Sequence, residues 1–177
     1  MIHRWTNLLP WTVVACLIAG VYGALHNQVS YTVSPEYFHR FKFIQFRVHD
    51  EWQNRWGAAV VGWRAAWWTG LLFGPPMVII TLRRCHSKSL PRIMGVAFLV
   101  AVVVDVICGL GTLAAASILV DDQSFRDVWI PHGVQHRAAF LRSGIMHDAS
   151  YAGGLLATMV GCLAIVKMTR PSRLGIA

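Results

Sequence analysis

Four long apolar segments divide the chain, and most of its polar residues lie between them. The segments cover residues 8–25, 56–82, 93–120 and 149–168. A helix needs about 20 predominantly apolar residues to cross the hydrocarbon core of a bilayer. The pattern therefore predicts an all-α integral membrane protein, in which four transmembrane helices form one four-helix bundle, a single domain over residues 1–177.

Basic and acidic residues outside these segments are distributed unequally among the connections and the chain ends. The N-terminus, the second connection and the C-terminus together contain eight Lys and Arg residues and no Asp or Glu, whereas the first and third connections contain seven of each sign. Lys and Arg in short connections tend to stay in the cytoplasm. This asymmetry predicts that both chain ends are cytoplasmic (N-in/C-in) and that the first and third connections face outward.

The composition agrees with a membrane protein and accounts for the net charge. Hydrophobic residues make up 55% of the chain and charged residues 14%, and the formal net charge is +8. Because the excess charge lies in the cytoplasmic segments, it indicates orientation, and we expect no nucleic-acid partner. The lipid bilayer is the expected partner. Small residues at four-residue spacing are also compatible with a membrane-protein partner or a homo-oligomer.

The first apolar segment has two interpretations. A basic start, an apolar run and small residues near Gly23 are typical of a secretory signal, and cleavage would leave three spans. However, the run is long for a signal, and Trp5 and Trp11 are typical of residues that anchor a helix at the membrane interface. We therefore predict that this segment is retained as the first transmembrane helix.

Turn and breaker residues predict the shape of the first connection and of the second span. Residues 29–33 are predicted to be extended, and Ser34-Pro35-Glu36 then has the N-cap, the proline and the first-turn acid that begin a helix. We expect this amphipathic helix to lie along the outer interface as a cap, although a bent strand is an alternative. Its predicted apolar side contains Tyr37, Phe41, Ile44 and Val48. Pro75 and Pro76 are predicted to kink the second span.

The histidine residues are compatible with a metal-binding function on the outward side. Six of the eight histidines lie there: His26, His39, His49, His132, His136 and His147. Imidazole is the commonest protein ligand for transition metals. The simpler interpretation is that outward connections contain most of the polar residues, and both interpretations stay open.

Three pairs are candidate ligands for a transition-metal cofactor, in this order: His132 with His136, Glu36 with His39, and His147 with Asp148. The first pair follows Pro131, which predicts a helix that presents both imidazoles on one face. The second pair has the Glu-x-x-His spacing of metal sites inside helical bundles, although the further carboxylates of such sites are missing. The third pair precedes the fourth apolar segment, where Asp148 is expected to cap the helix.

Two charged residues lie inside the apolar segments. Asp105 is near the middle of the third segment, where a carboxylate is costly and therefore faces the bundle interior, a partner or water. It is a candidate for proton relay or solute binding, and the alternative is a protonated or paired residue that holds helices together. Arg64 lies about 12 Å from Asp105 in depth, at 1.5 Å per residue, and is expected to extend outward.

Two stretches of the chain resemble a known group of sequences. Residues 29–38 read Val-Ser-Tyr-Thr-Val-Ser-Pro-Glu-Tyr-Phe, and residues 57–74 read Gly-Ala-Ala-Val-Val-Gly-Trp-Arg-Ala-Ala-Trp-Trp-Thr-Gly-Leu-Leu-Phe-Gly. Over these stretches the chain resembles a family of uncharacterised bacterial multi-pass inner-membrane proteins. The resemblance implies a location in the bacterial inner membrane. It implies no established activity and no catalytic residues.

Three functions are compatible with these features. The favoured one is an accessory or interaction protein with an aromatic and His-rich outward cap. The second is a metal- or cofactor-binding redox protein that uses the outward histidines, and the third is a proton-coupled carrier that uses Asp105. The sequence contains no phosphate-binding loop, no Gly-x-Ser-x-Gly elbow and no His-Glu-x-x-His helix, so it does not predict an enzyme of those classes.

Overall fold

Long helices form nearly all of the molecule. A computed structural model describes residues 5–85 and 87–170. Within these ranges no strand occurs, and the five long helices are α1 (Leu8–Val33), α2 (Arg55–Ala66), α3 (Thr69–Arg84), α4 (Leu90–Leu119) and α5 (Arg137–Met168). The prediction of an all-α fold is confirmed for this part of the chain.

Three of these helices are long and apolar enough to cross a membrane by themselves. These helices are α1, α4 and α5. Helices α2 and α3 pass the same test only as a pair, which is bent by 50°. The count of candidate spans in the described residues is therefore three, or four if α2 and α3 together form one bent span.

The 50° bend in the second apolar segment lies at Trp67 and Trp68, before the prolines at which a kink was predicted. Both prolines lie inside α3. At the bend, the N–H groups of Gly70 and Leu71 donate to carbonyls three residues back, and the Thr69 hydroxyl donates to the Ala66 carbonyl at 2.7 Å. These shorter-range bonds change the direction of the helix without leaving the Ala66 carbonyl unpaired.

Small residues allow α1 to approach α2 and α3 closely. A Cβ atom added at Gly62 would lie 2.1 Å from the carbonyl oxygen of Gly23. A Cβ atom added at Gly70 would lie 2.5 Å from Cα of Cys16. Helix α1 thus packs on α2 and α3, α4 packs on α5, and contacts between α3 and α5 join the two pairs.

Helix α1 continues to Val33, so the prediction of an extended stretch at residues 29–33 was wrong. Ser30 is fully buried, and the Tyr31 ring packs on Phe38 and Phe43. Tertiary packing of these residues overrides the weak strand preference of the β-branched residues around them. The new helix start after Ser34 is confirmed, because the Ser34 hydroxyl accepts a hydrogen bond from the N–H of Tyr37 at 3.2 Å.

The segment after Ser34, which we call the outer cap (residues 35–45), is helical and not a strand. Its middle is a π-helical turn, Phe38–Lys42. This wider turn rotates the buried side toward Tyr37, Phe38 and Phe43, and it leaves Ile44 66% exposed. The predicted inclusion of Ile44 in the buried side was therefore wrong, because that prediction assumed a regular α-helical period.

Two carboxylates from distant parts of the chain cap the start of α5. Glu36 accepts hydrogen bonds from the backbone N–H groups of Gln135 and His136 at 3.0 and 2.9 Å, and Asp122 accepts one from Ala138 at 2.8 Å. Partial burial raises the pKa of Glu36, but these hydrogen bonds and nearby positive charge outweigh it, so the pKa lies below its ordinary value of 4.5. The contact ties the outer cap to the N-terminus of α5.

Helix α5 begins at Arg137, so the helix predicted to begin at Pro131 was wrong. Residues 131–136 form turns, and Gly133 has a φ of +80°. Gly144 does not interrupt α5, which continues to Met168. His147 and Asp148 consequently lie within a long helix, and the expected capping role of Asp148 at a helix start was also wrong.

Candidate functional site in the bundle interior

Polar side chains of three helices meet in the interior of the bundle. We call these residues the interior polar cluster: Tyr22, His26 and Ser30 of α1, Asp105 of α4, and His147 and Ser150 of α5. The three residues of α1 are spaced by four, so they lie along one helix face. This face is directed toward α4 and α5, as the contacts described below show.

His26 is the most deeply buried imidazole of the cluster. The residue is 8% exposed. Its Nδ1 atom lies 3.3 Å from the Ser150 hydroxyl and 3.4 Å from the Tyr22 hydroxyl. These two hydroxyls are also 3.2 Å from each other. The Nε2 atom of His26 has no hydrogen-bond partner. One edge of this ring is thus held by hydroxyls, and the other edge is left unsatisfied.

His147 connects the cluster to the outer cap. Its Nε2 atom lies 3.0 Å from the Ser30 hydroxyl, and its ring centroid is 4.8 Å from that of His26. The Tyr37 ring of the outer cap stacks on the other side of His147, with centroids 5.1 Å apart. The two imidazoles are therefore neighbours, and aromatic packing holds the outer one in place.

Asp105 enters the interior through a gap that a glycine leaves open. A Cβ atom added at Gly153 of α5 would lie 2.6 Å from the Oδ1 atom of Asp105. The Oδ1 atom of the Asp105 carboxyl group is buried without a hydrogen-bond partner. Among the described residues, Asp105 Oδ1 and His26 Nε2 are the two buried side-chain atoms that lack a partner. Burial of a polar atom without a hydrogen-bond partner costs free energy, so these two atoms need an explanation.

Two adjoining cavities lie beside the residues that carry these buried atoms. The outer cavity, of about 80 Å³, is lined by residues that include Tyr22, His26, Asp105, His147 and Ser150. The inner cavity, also about 80 Å³, extends toward Ala15 and Met77. Five residues line both cavities: Tyr22, Thr69, Phe73, Asp105 and Gly154. Asp105 therefore lies where the outer cavity, which the two histidines line, meets the inner cavity.

The predicted metal ligands do not form one site. In residues 5–85 and 87–170, no three His, Cys, Asp or Glu side chains are arranged to hold a metal ion. His132 and His136 are exposed in the turns before α5 and lie outside a helix. The premise that these two imidazoles share a helix face was therefore wrong.

The other predicted ligands have separate environments. The imidazole of His39 lies 3.2 Å from the Tyr31 hydroxyl, while Glu36 caps α5 beside His136. Asp148 is exposed, whereas its neighbour His147 belongs to the interior polar cluster. The structure thus brings Glu36 and His136 together from two different predicted pairs.

Arg64, the other intramembrane charge, does not contact Asp105. Its guanidinium donates to the carbonyl oxygen of Phe46 at 3.0 Å and lies over the Phe46 ring at 5.5 Å. The long side chain thus extends to the outward connection, where backbone oxygens take its hydrogen bonds. Asp105 is left without a basic partner among the described residues, since no Lys or Arg lines either cavity.

Sequence reasoning identified Asp105 and His147 but missed Tyr22, His26 and Ser150 as parts of one cluster. His26 was grouped with the outward residues because the first apolar segment was ended at Leu25. The signal that could have found it is the four-residue spacing of Tyr22, His26 and Ser30, which continues the helix past that boundary.

The fold and the interior cluster define a class of protein without naming a member. In the described part of the chain, three helices are long and apolar enough to cross a membrane and polar groups lie between them, which is compatible with a membrane protein. Comparison with protein-family models, with curated proteins and with solved structures finds no match to this chain.

Proposed function

We propose that the protein is a proton-coupled carrier with four transmembrane spans, in which Asp105 accepts and releases the transported proton. The observation that carries this proposal is the buried Oδ1 atom of Asp105, unpartnered between two cavities inside the bundle. An ionisable residue at this depth is expensive, and such residues occur in proton relays and solute pathways of membrane proteins.

A chain of proton-carrying groups leads from Asp105 toward the outer cap. It passes through the hydroxyls of Tyr22 and Ser150 to His26, and from His26 to His147 and Ser30. The Tyr22–Ser150, Ser150–His26 and Ser30–His147 pairs are 3.2, 3.3 and 3.0 Å apart, and the imidazole rings are 4.8 Å apart between centroids. Asp105 and Tyr22 line the same two cavities. Hydroxyl and imidazole groups both donate and accept hydrogen bonds. Such a chain supports proton transfer when small side-chain reorientations bring Asp105 to Tyr22 and the two imidazoles to each other.

The proposed orientation rests on the charges of the connections. The bent pair of α2 and α3 forms the second span, both chain ends are cytoplasmic, and the outer cap faces away from the cytoplasm. In a bacterium this places the protein in the inner membrane, as the sequence resemblance implies. The small residues at the α1–α2 crossing pack against each other within one chain. They therefore give no separate support for a homo-oligomer.

Two other functions have less support. An accessory or interaction protein has no need for an unpaired carboxylate in its interior, and burial of such a group without a role is costly. A transition-metal redox protein would need converging ligands, and the described part of the chain brings no three of them together. The carrier is therefore the function that the geometry favours.

Asp105→Asn tests the proposed function. The purified protein is reconstituted into vesicles with an internal pH-sensitive dye and an imposed potassium diffusion potential. We expect proton influx in vesicles with the wild-type protein and only the leak of protein-free vesicles with Asp105→Asn, because an amide of similar size cannot accept the proton. Wild-type vesicles that show no flux above the leak contradict the proposal.

Asp148→Asn is the matched control. It makes the same chemical change on an exposed residue of α5 that lines neither interior cavity. We expect its flux to equal that of the wild type. An equal loss of flux in both variants would show that the Asp105 effect is not specific to the interior carboxylate.

A further inference from the structure

The two unpartnered atoms of the interior polar cluster suggest what else the site binds. Asp105 Oδ1 is a hydrogen-bond acceptor, whether or not the group is ionised. The Nδ1 atom of His26 has two hydroxyl neighbours, Tyr22 and Ser150, to which it can donate. In that tautomer Nε2 carries a lone pair and is a second acceptor. Both atoms lie on residues that line the outer cavity.

The electrostatics of the outer cavity favour a cation. Its lining contains one carboxylate, Asp105, and no Lys or Arg. Aromatic rings of Tyr22, Phe73 and Tyr151 also belong to the lining, and ring faces attract ammonium groups. An anion would meet the Asp105 carboxylate without a compensating positive charge. A bound cation, by contrast, would neutralise that carboxylate.

The size of the cavity and the kind of atoms around it narrow the class of cation. A volume of about 80 Å³ holds more than one water molecule and accommodates a solute of only a few non-hydrogen atoms. A protonated amine can donate N–H groups to Asp105 Oδ1, to His26 Nε2 and to a hydroxyl oxygen. It would thereby supply partners to both unsatisfied atoms and compensate the charge.

We propose that the outer cavity binds a small protonated amine, ammonium or a primary alkylammonium ion, between Asp105 and His26. The inference rests on the proposed function and names the solute that shares the site with the proton. The ionised carboxylate binds the ammonium ion, and protonation of Asp105 removes the negative charge and releases it. One cation and one proton therefore compete for the same carboxylate.

Calorimetric titration of the detergent-solubilised protein tests this site with defined probes. Methylammonium chloride supplies both the charge and N–H donors, tetramethylammonium chloride supplies the charge without donors, and sodium chloride supplies a metal cation. We expect saturable binding of methylammonium that exceeds binding of the other two by about tenfold or more, as lost hydrogen bonds to a charged group imply.

Variants assign the binding to the cavity. Asp105→Asn should weaken methylammonium binding by about tenfold or more, and Asp148→Asn should leave it unchanged. If Asp105→Asn does not fold, the comparison of probes on the wild-type protein still decides. Sodium or tetramethylammonium binding as tight as methylammonium binding overturns the inference, and so does absence of methylammonium binding.

The flux assay separates the two proposals. Asp105-dependent proton flux without methylammonium binding would leave the carrier function standing and reject the ammonium site. Methylammonium binding that depends on Asp105, without proton flux, would support the binding site and reject proton-coupled transport.

Discussion

Replacing Gly62 with Val is expected to prevent the protein from folding into a stable bundle. The added Cβ atom would lie 2.1 Å from the carbonyl oxygen of Gly23, and the obstacle is backbone of α1, which cannot rotate away as a side chain can. Helices α1 and α2 must then separate, which also disturbs the His26 face of α1. We expect a loss of at least about 3 kcal/mol in the free energy of unfolding, the upper end for overpacking.

Gly111→Val is the matched control for this prediction. Gly111 lies within α4, and a Cβ atom added there meets no atom within 4 Å. Both variants add the same side chain to a helix in an apolar segment. Thermal unfolding in detergent, followed by size-exclusion chromatography, should show a large loss of folded protein for Gly62→Val and little change for Gly111→Val. Similar stability of the two variants would contradict the proposed α1–α2 crossing.

Phe38→Ala is expected to have the second-largest effect on stability. The Phe38 side chain is fully buried and contacts the rings of Tyr31, Tyr37 and Phe43. Its removal leaves a cavity between the outer cap and the bundle, and such losses cost about 3–5 kcal/mol. Because the cap positions Tyr37 against His147, the interior polar cluster should also become accessible to water.

Phe125→Ala provides the comparison for Phe38→Ala. Phe125 lies in the third connection and is 57% exposed, so the same truncation removes little buried area. We expect its midpoint of thermal unfolding to stay near that of the wild type, while that of Phe38→Ala falls by many degrees. Equal midpoints for Phe38→Ala and the wild type would show that the outer cap is not packed as described.

Much of the fold can be predicted from the sequence because membrane helices have a strong and simple signal. The all-α class and the positions of four apolar segments follow from hydrophobic run length alone. Helix boundaries do not, since α1 and α5 extend beyond their apolar segments through polar residues such as Ser30 and Ser143. Those residues are buried by tertiary packing, which hydrophobicity does not report.

The bend at Trp67 and Trp68 was not predicted, and the start of α5 was mispredicted, for a related reason. Proline and its neighbours are strong local signals, yet the bend lies at Trp67 and Trp68, where Gly70 must fit against Cys16 of α1. Helix α5 begins where the distant carboxylate of Glu36 supplies a cap. Both features depend on residues that are far apart in the sequence, so local pattern could not locate them.

The candidate site could be predicted only in part. Asp105 was identified because a charge inside an apolar segment stands out. The pairing of His26 with His147 could not be predicted, because it depends on which faces of α1 and α5 meet. The shared helix face of His132 and His136 was mispredicted, because spacing along the sequence indicates a shared face only where a helix forms, and residues 131–136 are turns.

The proposed topology depends on α4 crossing the bilayer with its first residues in the cytoplasm, and cysteine labelling in intact cells tests this crossing. In a variant without its native cysteines, Lys88→Cys and Arg126→Cys each place one thiol at an exposed position. The first precedes the start of α4 and the second follows its end. We expect a membrane-impermeant maleimide to label Arg126→Cys in intact cells, and to label Lys88→Cys only after the membrane is permeabilised. Labelling of Lys88→Cys in intact cells, with protection of Arg126→Cys, would contradict this orientation of α4 and the topology that depends on it.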